Sequence, residues 1–151
     1  YRLVEFMLGN RNQNMLKPHA HRADVLQLLT DELAQPSLYD VALQALNATF
    51  SLPEDVLDRP TAQTHVAHPA VAEAWANVYR DPETYWELYE LAEKLVDFED
   101  YFRRWRFNHV TTVERIIGFK RGTGGTGGIS YLKRMLEIEL FPELWHLRTD
   151  L

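Results

Sequence analysis

Residues 81–118 read DPETYWELYELAEKLVDFEDYFRRWRFNHVTTVERIIG, and this stretch decides the fold class. Asp81 is a good N-cap, Pro82 suits the first helical position, and Glu83 suits the first turn of a helix. Neither glycine nor proline then occurs until Gly118. The stretch therefore predicts one helix of about 36 residues, on the order of 54 Å long.

Helical spacing is not confined to this stretch. Apolar side chains recur every three to four positions in residues 3–16, 25–33, 38–46, 70–79, 129–140 and 142–147. No stretch alternates with a period of two, which is the pattern of a half-buried strand. The sequence therefore predicts an all-α protein, a helical bundle with one long helix and a glycine-rich loop.

Short-range signals predict where several of these helices begin and end. Gly9-Asn10 predicts a bend or an end in the first of them, and Ser37 predicts the N-cap of the helix over 38–46. Residues 51–54 read SLPE, which predicts a capping box and a short helix. Residues 59–68 show no periodicity and predict a loop.

The composition bounds the class of protein. The chain has 151 residues, 46% of them hydrophobic and 12% aromatic, which is enough for a folded core. Its 22 acidic and 16 basic residues give a net charge of −6, so we expect no nucleic-acid partner. No apolar run approaches the roughly 20 residues of a membrane helix, so we expect no membrane association.

The absence of cysteine excludes disulfides, thiolate metal sites, a cysteine nucleophile and the C-x-x-C-H attachment of haem. These features favour a cytoplasmic protein. The sequence begins Tyr1-Arg2-Leu3, without methionine and already within an amphipathic pattern. We therefore expect a piece of a longer protein, without a signal peptide.

Six of the seven glycines lie between positions 118 and 128. Residues 122–127 match G-x-G-x-x-G, but a helix and not a strand precedes them, which excludes a dinucleotide-binding fingerprint. A flexible connector is one interpretation of this segment. The other is a loop that becomes ordered on a polar ligand, which its two threonine hydroxyls and many backbone N–H groups favour.

His109 lies inside the long helix on an apolar stripe. Its neighbours on that stripe are Phe102, Trp105, Val113 and Ile116. A hydrogen-bonded core histidine is one interpretation of this pattern. A ligand for a planar, apolar cofactor is the other, because haem requires one neutral imidazole in an apolar pocket.

The other histidines give no metal signature. No acidic or cysteine residue joins His19 and His21, or His65 and His68, at a standard metal spacing, so turn and capping roles explain them. His146 has no partner that the sequence identifies. Carboxylates and arginines along the long helix are predicted to form a solvated, salt-bridged surface, and neither a catalytic carboxylate pair nor a serine triad stands out.

The run WRFNHVTTVERIIGFKRGTGGTGGISYLKRMLEIELFPELWHLRTDL, residues 105–151, resembles the tryptophan 2,3-dioxygenase family of haem enzymes. The resemblance rests on four motifs in a fixed order along the chain: R-x-x-H-x-x-x-V-x-R-x-I-G, then GTGG, then a YL pair, then FPELW-x-x-R. The opening YRLVEFMLGNRN is similar to the family segment that follows its substrate-contacting F-Q-S stretch. The resemblance covers both ends of the chain and, more loosely, its middle.

The resemblance implies roles for five residues. The family's proximal haem histidine falls on His109, and the arginine that binds the substrate carboxylate falls on Arg2. The loop threonine falls on Thr123, which with the N–H groups of Gly124 and Gly125 would hold the amino-acid end of the substrate. Family members also carry a distal Phe and His and a Tyr upstream of this segment, which are not in the chain.

The resemblance implies that residues 1–151 are the C-terminal part of a single haem dioxygenase domain. The implied function is insertion of both atoms of O₂ across the indole C2–C3 bond of L-tryptophan, with b-type haem as cofactor and a homotetramer as the complete assembly. We expect the 151 residues alone to be inactive. The alternatives are a haem enzyme that oxidises another indole or aromatic amino acid, and a non-catalytic helical interaction module in which His109 is part of the core.

Overall fold

A computed structural model describes residues 1–118 and 133–151. The helices are α1 (Arg2–Leu8), a 3₁₀ helix (Gln13–His19), α2 (Ala23–Leu33), α3 (Leu38–Phe50), α4 (Glu54–Leu57), α5 (Pro69–Arg80), α6 (Trp86–Ile117) and α7 (Pro142–Asp150). No strand occurs in these two ranges, and the all-α prediction is confirmed. The chain divides into two compact units, one formed by residues 1–96 with 140–151 and the other by residues 97–139.

The long helix predicted from the sequence is α6, which has 32 residues. Its predicted start was wrong, because residues 82–85 form a turn before it. In that turn the Asp81 carboxylate accepts a hydrogen bond from the Thr84 N–H at 3.2 Å. The predicted end is confirmed, since Gly118 follows the helix with a φ of 59°, a left-handed conformation that favours glycine.

The predicted caps of the shorter helices are confirmed in part. Ser37 caps α3 in a reciprocal capping box with Asp40. The prediction of a capping box at residues 51–54 is wrong, although the short helix predicted there, α4, is present. Ser51 instead ends α3 in a left-handed conformation, and Pro53 occupies the N-cap position of α4.

The core of the first unit forms where α1 packs on α2 and α3, and α5 packs on α3 and α7. Each helix contributes fully buried apolar side chains, among them Phe6, Leu29, Leu46, Val71 and Val78. Burying side chains of this size stabilises a domain by about 1.5–3 kcal/mol each relative to exposure. This packing holds the start of the chain in a fixed place within the unit.

A buried arginine joins three segments of that core. The Arg11 side chain is inaccessible to solvent, and its Nε donates to the Phe6 carbonyl at 3.1 Å. Its Nη1 lies within 3.1 Å of the Leu33, Gln35 and Thr61 carbonyls. Burial lowers the pKa of Arg11. The guanidinium thus connects the end of α1, the end of α2 and the loop before α5.

Substituting Arg11→Leu is expected to lower the free energy of unfolding of the chain by about 3–5 kcal/mol, because buried carbonyls would lose their donor. Urea unfolding followed by circular dichroism measures this difference. The matched control is Arg22→Leu, since the Arg22 side chain is 58% exposed and pairs only with Asp24 among the described salt bridges. Equal losses in the two variants would contradict a structural role for Arg11.

Candidate functional site

An exposed aromatic stripe runs along α6 within the unit of residues 97–139. Trp105 is 46% exposed, Ile116 is 75% exposed, and His109 is also exposed. Phe98, which was not among the residues predicted to form the stripe, is 49% exposed and extends it toward the N-terminus of the helix. Large apolar side chains that are exposed contiguously on one helix face mark a surface that binds something.

Three rings of this stripe lie nearly parallel to one another. The Phe102 and Trp105 ring centroids are 5.9 Å apart with an interplanar angle of 7°. Those of Trp105 and His109 are 5.3 Å apart with an angle of 5°. The helix therefore presents the His109 imidazole to solvent at the end of a row of aromatic rings, and the core-histidine interpretation is wrong for the described structure.

A face of α6 next to the stripe is buried and holds residues 133–139. Arg106 is 2% exposed, and its guanidinium donates to the Met135 and Ile138 carbonyls. Arg103 pairs with Glu139 at 3.5 Å. These bonds fix which face of α6 packs on residues 133–139 and which face the stripe occupies.

The charges of α6 therefore correct the prediction of a wholly solvated surface. Glu99 is fully buried and pairs with Arg103 at 3.4 Å. Asp100 and Arg104, by contrast, form an exposed pair of the predicted kind at 2.5 Å. Two charged side chains of this helix, Glu99 and Arg106, thus lie in the interior of this unit.

The stripe has the chemistry that a haem requires. A haem presents two apolar faces and accepts one neutral imidazole on its iron, and the aromatic rings around His109 supply apolar surface next to an accessible imidazole. Among the described residues no group of three or more histidine, aspartate or glutamate side chains could hold a free metal ion. His109 and its stripe are the part of the described structure that fits the cofactor.

Arg2 lies at the start of α1 in the other unit. Its Nη1 lies 3.4 Å from the Oε2 of Glu5, a carboxylate that is fully buried, and 2.9 Å from the Sδ of Met15. Its guanidinium also lies over the Tyr1 ring, 5.4 Å from the centroid. The side chain is 15% exposed, so the fork is held in a largely desolvated environment.

A sequence model of the tryptophan 2,3-dioxygenase family matches residues 32–151. The chain belongs to this family. It is 67% identical to the tryptophan 2,3-dioxygenase of Bradyrhizobium diazoefficiens, 64% to that of Ruegeria pomeroyi and 60% to that of Polaromonas naphthalenivorans. Each of these similarities covers 100% of the chain and 54% of the relative, so the chain spans about half the length of the curated relatives that it matches.

Membership of the tryptophan 2,3-dioxygenase family confirms the resemblance noted in the sequence, which covered both ends of the chain and, more loosely, its middle. Residues 1–31 lie outside the match to the family but inside the similarity to each relative. The three predicted loop residues Thr123, Gly124 and Gly125 lie outside the described residues, as does the loop that was predicted to order on a ligand. None of the helices in the described parts of the chain has the length and apolar character to cross a bilayer.

A buried cluster of ionisable groups in this tryptophan 2,3-dioxygenase homologue was not found from its sequence. The Tyr39 hydroxyl donates to Glu143 at 2.6 Å, and the His68 N–H donates to the same oxygen at 3.1 Å. The His65 ring stacks on the Tyr39 ring with centroids 3.5 Å apart. Burial raises the pKa of Tyr39 and of Glu143. The residues are far apart in sequence, and only the spacing of His65 and His68 gave any signal.

His65 is expected to make the chain less stable in acid. Burial, and then the charge of Arg59, lower the pKa of His65 from 6.5 to about 4, while Asp40 opposes the shift. Between about pH 6.5 and pH 4 the unfolded chain is therefore protonated at His65 while the folded chain is not. The free energy of unfolding falls as the pH is lowered through this window. The whole shift corresponds to about 3 kcal/mol.

The measurement is urea unfolding at pH 7.5 and at pH 4 for the parent chain and for His65→Phe, which cannot titrate. The parent should lose about 2–3 kcal/mol more than the variant between the two pH values. Glu143 contributes with the opposite sign, because its raised pKa favours the folded state at lower pH, but this contribution cancels in the comparison. The same loss in both chains would show that His65 is not the group responsible.

Proposed function

We propose that residues 1–151 are the C-terminal part of a single-domain, haem-dependent tryptophan 2,3-dioxygenase. The observation that carries the proposal is the exposed His109 imidazole in its row of aromatic rings on α6, in a chain of this family. The proposed reaction takes L-tryptophan and O₂ to N-formylkynurenine: the indole C2–C3 bond breaks and each of these carbons receives one oxygen atom. This is the first step of tryptophan breakdown by the kynurenine route.

The side chains divide this work between binding a cofactor and binding a substrate. His109 would hold b-type haem through its iron, and Phe102 and Trp105 would cover part of an apolar face of the cofactor. When bound, haem supplies the activation of O₂. The Arg2 guanidinium would bind the substrate carboxylate with two parallel hydrogen bonds, which an ammonium group cannot reproduce.

The loop residues complete the proposed substrate site. The Thr123 hydroxyl and the N–H groups of Gly124 and Gly125 are donors suited to the amino-acid end of tryptophan. Together with Arg2 they would fix the position of the indole, so that orientation supplies much of the rate. We further propose that the complete protein is a cytoplasmic homotetramer and that the 151 residues alone are inactive.

The two alternatives make different predictions. A haem enzyme for another indole or aromatic amino acid would bind the same cofactor but have a higher kcat/KM for its own substrate. A helical interaction module would bury His109 in its core, and the exposure of His109 in the described structure speaks against it. The family membership and the carboxylate-binding chemistry of Arg2 favour tryptophan over an indole that lacks a carboxylate.

The experiment is a steady-state assay of the full-length, haem-loaded protein with L-tryptophan, tryptamine and L-phenylalanine under air. N-formylkynurenine is measured by its absorbance and by mass. Formation of this product with L-tryptophan at the highest kcat/KM supports the proposal. Preference for either of the other compounds, or no turnover of any of them, would contradict it.

A further inference from the structure

The C-terminal end of α1, the helix that begins with Arg2, rests against a loop residue. Gly9 ends α1 with a φ of 115°, and its N–H donates to the Glu5 and Phe6 carbonyls. A Cβ at Gly9 would lie 3.0 Å from both the Nδ1 and the Cε1 of His65. The position therefore requires glycine both for its backbone conformation and for the close approach of the imidazole.

The imidazole is held on its other side by α3. Its ring lies 3.5 Å from the Tyr39 ring, with an interplanar angle of 5°, and His65 is only 8% exposed. The Tyr39 hydroxyl is in turn fixed by its hydrogen bond to Glu143 on α7. A continuous series of contacts thus runs from the end of α1 through His65 and Tyr39 to α7.

A neighbouring contact of the same loop supports this arrangement. The hydroxyl of Thr64 accepts a hydrogen bond from the Arg11 N–H at 2.8 Å, and the Thr61 carbonyl accepts one from the Arg11 side chain at 2.8 Å. Residues 61–65 therefore hold residues 9–11 at three points. Because α1 has only seven residues, a shift at this end is carried to the other end, where Arg2 lies.

We propose that His65 is a positioning residue for the substrate-binding arginine: its flat ring between Gly9 and Tyr39 sets the place of α1, and α1 sets the place of the Arg2 guanidinium. The proposal rests on the proposed function, in which Arg2 binds the tryptophan carboxylate. His65 itself does not contact substrate in this account. Loss of His65 would displace the Arg2 guanidinium, which can donate two parallel hydrogen bonds to a carboxylate in only one geometry.

The test is a double-mutant cycle on the full-length protein, with L-tryptophan binding measured by titration calorimetry. His65→Ala is expected to raise the Kd for L-tryptophan by about tenfold when Arg2 is present, and by less than about twofold when Arg2 is replaced by lysine. The Kd for tryptamine, which has no carboxylate, should change by less than about twofold in either background. An equal effect of His65→Ala in both backgrounds would overturn the proposal.

Two further variants separate positioning from general destabilisation. His65→Phe keeps a flat ring on Tyr39 and is expected to bind L-tryptophan within about threefold of the parent, whereas a Kd as high as that of His65→Ala would overturn the proposal. The control is His21→Ala, because His21 is exposed. It should change neither the Kd for L-tryptophan nor the Kd for tryptamine. If His65→Ala does not fold, His65→Leu, which fills the space without a flat ring, replaces it in the cycle.

The cycle also distinguishes failure of this proposal from failure of the proposed function. An unchanged Kd for L-tryptophan in Arg2→Lys alone would contradict the carboxylate-binding role of Arg2. A raised Kd in Arg2→Lys, together with no effect of His65→Ala in the parent, would leave the proposed function intact and overturn only the role of His65.

Discussion

His109→Ala is expected to lower the affinity of the full-length protein for haem by more than about 100-fold, a larger loss than the 10–100-fold typical of outer-shell partners of a metal ligand. In the proposed function the imidazole would supply the bond from protein to iron, while the stripe around it would supply only apolar contact. The Soret absorbance of protein titrated with haem measures the affinity. Activity should fall in parallel, because less haem remains bound to react with O₂.

The matched control for this variant is His146→Ala. His146 is also an exposed histidine on a helix, but it lies on α7 and outside the aromatic stripe. His146→Ala should keep the Soret band, and circular dichroism should show both variants folded. Added imidazole is expected to restore part of the Soret band in His109→Ala, because it can fill the space that the side chain leaves. A Soret band and haem affinity unchanged in His109→Ala would contradict the assignment.

Arg2→Lys is expected to raise the Kd for L-tryptophan in the full-length protein by about 10–100-fold. Lysine keeps the positive charge, so the loss reports the second hydrogen bond and the planar geometry of the fork. In the structure Arg2 is largely desolvated beside Glu5 and Met15, where a misplaced ammonium group has little water to compensate it. Titration calorimetry with L-tryptophan measures the change.

Tryptamine provides the matched comparison for this substitution, because it keeps the indole and the amine but lacks the carboxylate. Its Kd should change by less than about threefold in Arg2→Lys. Equal losses for the two compounds would mean that Arg2 shapes the site in general. No loss for L-tryptophan would mean that Arg2 does not bind the carboxylate.

The long helix shows what sequence patterns can predict and where they stop. Absence of glycine and proline predicted α6 and its end at Gly118, because both residues act locally on the backbone. The start was misplaced because the Asp81 carboxylate caps the N–H of Thr84 equally well in an isolated turn. The same limit explains the wrong prediction at Ser51. Its side chain is suited to an N-cap, but its backbone ends the preceding helix, α3.

The His109 stripe was predictable as a face, but not as an exposed one. Spacing places Phe102, Trp105 and His109 on one side of a helix, and such a side is apolar both in a core and in a cofactor site. The burial of the neighbouring face distinguishes the two cases, because Glu99 and Arg106 are buried there and the stripe is left exposed. Charged residues are usually exposed, so the sequence pattern favoured the wrong side for burial.

The partners of the buried polar residues in the first unit could not be predicted from the sequence for a related reason. Arg11 bonds to carbonyls 22, 24 and 50 positions further along the chain, and the Tyr39 hydroxyl reaches Glu143 across 104 positions. Backbone carbonyls exist at every position, so no residue pattern marks the ones that a guanidinium will meet. His65 was assigned to a turn for the same reason, since its stacking partner Tyr39 lies far away in the sequence, on α3.

The most direct test of the central claim is turnover of L-tryptophan by the full-length, haem-loaded protein under ¹⁸O₂ in ordinary water. The product is rapidly quenched and its mass is measured. We expect N-formylkynurenine that carries two ¹⁸O atoms, one in the formyl group and one in the new ketone, and no such product from His109→Ala. A product with one ¹⁸O atom or none, or the absence of N-formylkynurenine from haem-loaded protein, would contradict the account.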